Sequence, residues 1–291
     1  MLEVRARRWL DVLPTRPGER PFVAAASGLC QAAQRLYVVA DDEHTLAVFP
    51  ADSNRPGERH LLLRPEAQDH AGMPKKLKPD LEAICNLPGG ELLALPSGST
   101  PERRIGAVIA IESGNPVLPA RLLDFGPLFK RLGHETSQLN LEGAAVLGDA
   151  LWLAQRGNRT TANALFEVAL SGWNDGEVPA SAFRRAVPLE LGELHGVPLT
   201  PTDLCPLPDG RLVLCAVCED TPDSYSDGPC VGAAVALIRP GQAPDRIEQL
   251  SPTHKVEGVI AQPSPRGLLL WLVCDADEPS RPSPLLEGVF G

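Results

Sequence analysis

Residues 140–158, NLEGAAVLGDALWLAQRGN, read as a β-hairpin. Glu142 opens a run of small and apolar residues, Gly148-Asp149 turns the chain, Leu151 to Ala154 return as a second apolar strand, and Arg156-Gly157-Asn158 end it in polar residues. Gly and Asp are turn formers for physical reasons: Gly tolerates positive φ, and the Asp side chain bonds to nearby backbone. Neither half carries the 3.6-residue period of an amphipathic helix.

The pattern recurs four more times. Ser27-Gly28-Leu29 precedes Arg35 to Val39 and Asp41-Asp42. Asp80 to Ile84 precedes a Pro88-Gly89-Gly90 turn and Glu91 to Leu95. Thr202-Asp203-Leu204 precedes Pro208-Asp209-Gly210 and Arg211 to Val217, and Lys255 to Val259 precedes Pro265-Arg266-Gly267 and Leu268 to Val273. Aligning Ser27, Glu82, Glu142, Asp203 and Glu257 gives spacings of 55, 60, 61 and 54 residues. Each spacing holds further strand candidates, such as Ala107 to Ile111, Ala233 to Ile238 and Ile247 to Leu250. A repeat of this length with four strands per copy predicts an all-β, five-bladed β-propeller of four-stranded antiparallel blades, a single domain over residues 1–291. The last repeat has three strands of its own. The alternating segment Leu2 to Arg7 supplies the fourth and closes the ring, which removes exposed sheet edges. Six blades, the alternative, require shorter repeats than those present.

Composition fits this architecture. Pro 30 and Gly 26 make up about one residue in five of 291, as many short strands joined by turns require. With 27 Lys and Arg against 37 Asp and Glu, the net charge of −10 argues against nucleic acid as a partner. The longest apolar runs, such as Leu268 to Cys274, are too short to span a bilayer, and the N-terminal arginines lack the apolar stretch of a signal peptide. A cytoplasmic protein that avoids membranes is therefore expected. Its seven cysteines are odd in number and sit mostly in apolar runs, as reduced core residues do. Cys215-Ala-Val-Cys218 has a metal-like spacing, but residues three apart in a strand face opposite sides, so it is read as structural.

In such a propeller the first strand of each repeat lines the central channel. Glu82, Glu142, Asp203 and Glu257 are then predicted to ring one mouth, with Asp41, Asp42, Arg156, Asn158, Glu219, Asp220 and Asp275 beside them. Two carboxylates about 8 Å apart repel by roughly 2 kcal/mol at an effective dielectric of about 20, so a ring of four requires compensation. Protonation of some of the acids, salt bridges or a bound cation would each supply it. Lys75, Lys76, Lys78 and Lys255 lie within seven residues of a ring acid, and Arg156 is a further cation. The oxygen ligands Glu82, Glu142, Asp203 and Glu257 would suit a hard cation such as calcium or magnesium. His254, next to Lys255 and Glu257, is the histidine placed to act as a base. No GxSxG elbow, HExxH motif, Walker loop or GxGxxG helix start occurs.

The segments DLEAI (80–84), NLEGAAV (140–146) and KVEGV (255–259), with LWLAQRGN (151–158), resemble the D/N-x-E-G motifs of bacterial β-propeller proteins of the phytase esterase-like and SdiA-regulated type. The resemblance implies a five- or six-bladed propeller with calcium near the axis. Glu82, Glu142 and Glu257 match the motif acid, Asp203 is a shorter substitute, and Ser27 departs from the pattern.

Two functions are carried forward. One is a metal-dependent hydrolase of an ester, lactone or phosphoester, with Glu142, Glu257 and His254 as catalytic groups. The other is a non-catalytic propeller binding a small ligand or a protein partner through Arg156, Asn158, Lys255 and Asp275, any ion being structural. The loops Ser97 to Arg104 and Thr221 to Pro229 are expected to form the rim.

Overall fold

The computed structural model describes residues 1–63, 78–221 and 228–291. Lys75, Lys76 and most of the Thr221 to Pro229 loop lie outside the described residues.

In chain order the strands are β1 (Leu2–Trp9), β2 (Ala26–Ala32), β3 (Arg35–Ala40), β4 (Thr45–Pro50), β5 (Glu58–Leu61), β6 (Leu81–Asn86), β7 (Leu92–Pro96), β8 (Ile105–Ile109), β9 (Ile111–Glu112), β10 (Asn115–Pro116), β11 (Arg121–Asp124) and β12 (Leu141–Leu147). They continue with β13 (Ala150–Gln155), β14 (Ala164–Ala169), β15 (Phe183–Pro188), β16 (Glu193–Leu194), β17 (Val197–Pro198), β18 (Thr200–Pro206), β19 (Leu212–Glu219), β20 (Cys230–Ile238), β21 (Arg246–Ser251), β22 (Val256–Ser264), β23 (Gly267–Cys274) and β24 (Pro284–Phe290). Three separate four-stranded sheets are β2-β3-β4-β5, β6-β7-β8-β11 and β12-β13-β14-β15. An eight-stranded sheet combines β18-β19-β20-β21 with β22-β23-β24-β1, and the halves meet through a short parallel pairing of Leu2 and Glu3 with Leu250 and Ser251.

The hairpin read from residues 140–158 forms as β12 and β13, paired from Leu147↔Ala150 at the turn to Leu141↔Gln155 at the mouth. The N-terminal segment pairs antiparallel with β24, so the last sheet takes its outer strand from the start of the chain. Strands β2, β6, β12, β18 and β22 each touch the next, and β22 returns to β2, which makes a closed circuit. Between successive sheets lie five apolar clusters. One joins Tyr37, Val48, Ile84 and Ile109; another joins Leu151, Phe166, Leu93 and Phe125. Fully burying a side chain of this size contributes roughly 1.5–3 kcal/mol, so face-to-face packing around the circuit holds the molecule together. This is an all-β, propeller-like fold.

The inner strands approach so closely that only Gly fits at some positions. A Cβ on Gly143 would lie 2.7 Å from Asp203 Cα, and one on Gly28 would lie 2.9 Å from Ile84 N. Cys215 and Cys218 belong to apolar clusters on opposite faces of β19, which fits their structural reading. The helix α1 (Gly126–Leu132), not anticipated from the sequence, packs Leu128, Phe129 and Leu132 into the cluster beneath it. Among the described residues no helix is long and apolar enough to cross a membrane.

Candidate functional site

Each inner strand carries a β-bulge at one residue. The register with its neighbour slips across Ser27, Glu82, Glu142, Thr202 and Glu257. A bulge leaves its residue unpaired and re-aims the side chain, here toward the axis. The structural repeat is therefore 55, 60, 60 and 55 residues, and the position equivalent to Glu82 in β18 is Thr202. Asp203 stands one residue further on, at the place held by Gly28, Ala83, Gly143 and Gly258 in the other strands. Its side chain has no exposure, and its Oδ2 accepts the Val259 N–H at 2.9 Å. Oδ1 is buried with no hydrogen-bond partner. Burial pushes this carboxyl well above its usual range, against the pull of backbone N–H groups of Val259, Leu204, Ala144 and Leu29. Asp203 thus plugs the axis below the mouth and does not line the cavity with the other three predicted ligands.

The mouth itself is a cavity of about 280 Å³ walled by ten carboxylates and four cations. Glu82, Glu142, Glu257, Arg156, Asn158, Lys255 and Asp275 all line it, as the sequence predicts. His254 does not. The backbone alternation adds groups that were not singled out: residues two before each bulge share its face, which brings in Asp80 and Asn140. Asn140 Nδ2 donates to Glu142 Oε1 at 2.6 Å, and Lys255 stands 3.9 Å from Glu257. Arg103, from the Ser97 to Arg104 loop, also joins the wall and pairs with Asp80 at 2.8 Å.

The cations are shared unevenly. Arg156 bridges Glu219 at 2.6 Å and Glu142 at 3.4 Å. Lys255, with a side chain only 10% exposed, stands among Glu219 (3.0 Å), Asp277 (3.0 Å), Asp275 (3.2 Å) and Glu257. Burial alone would lower both cations, but the surrounding carboxylates outweigh it and hold them well above their ordinary values. Lys78 pairs with Asp41 at 2.6 Å. Carboxylate oxygens of Asp41, Asp80 and Glu82 all lie within 4.8 Å of one another, a separation at which a charged pair costs roughly 3 kcal/mol. Asp41 and Asp80 each have a cation against them. Glu82 has no hydrogen-bond or ion-pair partner among the described residues.

The carboxyls respond by holding protons. Burial pushes Asp41 up to about 7 despite Lys78, with Asp42 and Asp275 adding to the rise. Glu82 lies well above its usual range through burial and then through Glu142, Asp80, Asp41 and Glu257. Burial also raises Glu257 strongly, and Glu142 against the pull of Arg156. A site in this condition exchanges protons for any cation that enters it.

The fold resembles that of a glutaminyl cyclase from Myxococcus xanthus, with 12% identity, 100% of this chain and 98% of the other covered, and a TM-score of 0.54. It also resembles a mannose phosphorylase from Leishmania mexicana solved with phosphate ion (12% identity, 98% and 88% covered, TM-score 0.51) and a luciferin-regenerating enzyme (13% identity, 92% of each chain, TM-score 0.50). At such identities the likeness is one of fold. These neighbours support the propeller-like architecture implied by the motif resemblance, but not its assignment to the phytase esterase-like or SdiA-regulated type. No curated protein matches the sequence. A family model does match, over residues 22–289, and the chain belongs to that family of unknown function, DUF6929.

Proposed function

We propose that the five groups of four strands are the five blades of one propeller spanning the chain, and that its acidic mouth is the active site of a cation-dependent hydrolase acting on an uncharged ester or lactone. The observation that carries this reading is the cluster of Asp41, Asp80 and Glu82 carboxylate oxygens within 4.8 Å of one another, in which Glu82 makes no ion pair among the described residues. The donor set fits a hard cation because it is entirely carboxylate oxygen, and calcium is taken as the ion to test. Buried Asp41 Oδ1 and Glu257 Oε2 have no hydrogen-bond partner, which leaves acceptors unused around the same space. Asp41, Asp80 and Glu82 would hold the ion, and Glu257 and Glu142 line the same cavity. When bound, such an ion acts as a Lewis acid on a carbonyl oxygen.

The rest of the chemistry belongs to side chains. Glu142, oriented by Asn140 and paired with Arg156, is the more readily ionised of the two remaining ring acids and is positioned to take a proton from water. Glu257, held well above its usual range by burial, is positioned to give a proton to a leaving oxygen. Environments that separate two carboxyl pKa values are how one site supplies both a base and an acid. Where the carboxyls are ionised, ten of them against four cations disfavour an anionic substrate, so the reading takes neutral esters and lactones before phosphoesters.

The test is turnover of neutral ester and lactone panels with calcium present. EDTA and Glu82→Gln should each lower it by about 100-fold or more, the scale of losing an acid–base or charge-stabilising group. Calcium binding without turnover on either panel would leave a non-catalytic propeller that binds its ligand at this mouth. Absence of calcium binding would remove the hydrolase reading.

A further inference from the structure

Beside the acidic cavity lies a second one of about 270 Å³, and the two share Lys255, Asp275 and Asp277 as a partition. The far wall is different in kind. Trp9, Pro282 and Pro284 present apolar faces, Cys230 and Cys274 present thiols, and Thr253 and His254 present polar edges. Trp9, at the end of β1, is 48% exposed, so it leaves a large apolar ring in water at the rim of a concave site. Amphipathic aromatic rings in that position are characteristic of binding surfaces.

The lining holds Lys255 and Arg281 against Asp275 and Asp277, so its charges balance and favour an uncharged guest. Burial raises the Cys230 thiol to about 11 and the Cys274 thiol well above its usual value, so both stay protonated and serve as apolar lining. Burial lowers His254, whose imidazole is therefore neutral near pH 7 and offers one donor and one acceptor. Lys255 is neutralised by its carboxylates before it reaches this side. An apolar cavity of roughly 150 Å³ is enough to bind benzene, so one substituted ring fits here. Neither cavity alone reaches the roughly 300–1,000 Å³ typical of small-molecule sites, whereas the two together do.

We propose that this cavity is a second binding subsite for a planar, uncharged ring carrying one hydrogen-bonding atom, stacked on Trp9 and hydrogen-bonded to His254. Assigning that ring to the same substrate, as the apolar end of an ester whose reacting end lies in the acidic cavity, rests on the hydrolase reading. The subsite itself does not.

Phenol is the probe, titrated against the full chain by ligand-observed NMR at pH 7 in EDTA. Saturable binding is expected; Trp9→Ala should weaken it about fivefold to tenfold, the order of one aromatic pair, while Trp9→Phe retains it and Glu82→Gln leaves it unchanged. Absence of saturable binding, or binding that survives Trp9→Ala at full strength, overturns the subsite. Phenol binding retained in a protein that hydrolyses no ester or lactone sinks the hydrolase reading and leaves the subsite standing.

Discussion

Raising the pH from 5.5 to 8 in EDTA should destabilise this protein, and calcium should reverse the loss. Asp41, Asp80, Glu82, Glu142, Asp203 and Glu257 are all held above the usual carboxylate range, burial being the first cause in each. An acid whose folded pKa exceeds its unfolded one binds more protons in the folded state. Its contribution to stability is complete below the unfolded value and is lost as pH climbs through the folded value. For Asp41 those values are 3.8 and about 7, so the loss spreads from about pH 4 to about pH 7 and amounts to at most about 4 kcal/mol, of which about 2 kcal/mol falls above pH 5.5. This is an upper bound, because 24% of the side chain remains in water. Glu43, Glu167 and Glu287 are held below their ordinary value of 4.5, and their opposite contribution is lost only as pH falls below it, outside this window. At about 2–4 °C per kcal/mol, Asp41 alone lowers the melting temperature by about 4–8 °C, and the other raised carboxyls act in the same direction. Calcium at 100 times its Kd would restore about 2.7 kcal/mol at pH 8, and less at pH 5.5, where protons occupy the ligands. Circular dichroism melts at both pH values, with EDTA or calcium, measure each term. Equal melting at the two pH values in EDTA, or a calcium effect as large at pH 5.5 as at pH 8, would refute the reasoning.

Two substitutions near the axis follow from the geometry. Asp203→Asn should be within about 1 kcal/mol of wild type at pH 7 and leave the calcium response of the melt intact, since a carboxyl and an amide of the same shape both present an oxygen to the Val259 N–H; a lost calcium response would return Asp203 to the ligand set. Gly143→Ala should cost about 1–3 kcal/mol in denaturant melts, because the new Cβ meets backbone atoms of Asp203 at 2.7 and 2.9 Å that cannot swing away; an unchanged midpoint would mean the inner strands are looser than described.

The hairpin repeats were legible because their signal is local. Turn residues such as Gly148-Asp149 and Pro208-Asp209-Gly210 sit between apolar runs of strand length, and the pairing that results depends on little else. The role of Leu2–Trp9 was legible by elimination, as the fourth strand missing from the last sheet. Within the site, Glu82, Glu142 and Glu257 could be found from their repeat position, and Asn140 could have been found from period-two alternation. Arg103 could not. Its pairing with Asp80 depends on how the loop after β7 folds back over the mouth, and no spacing encodes that. His254 adjoins Lys255 in sequence, yet it lines only the neighbouring cavity, whereas Lys255 lines both, and the turn closed by the Val256 N–H on the His254 carbonyl is not encoded in the spacing.

The displacement of Asp203 has a deeper cause, and it bears on what the site can do. Alignment by residue type matched one acid to another. The fold instead matches bulge to bulge, and a bulge is defined by which residue the neighbouring strand skips, which side-chain pattern does not record. Moving the acid by one residue turns it from the mouth to the axis, into room left by Gly28, Gly143 and Gly258, where a side chain on any of the three would strike its neighbour. The carboxyl that fills this room is wholly buried and bonded to β22, so it closes the channel at that level. Ser27 and Thr202 then occupy the two bulges without acids, and the three glutamates form an incomplete ring rather than a symmetric cage. The charges are shared unequally as well: Asp41, Asp80 and Glu82 gather within 4.8 Å of one another, while Arg156 pairs with Glu142 and Lys255 stands by Glu257. Under the proposed hydrolase reading, the cation ligands and the acid–base pair would then be different groups lining one mouth, a division that four equivalent carboxylates would not provide.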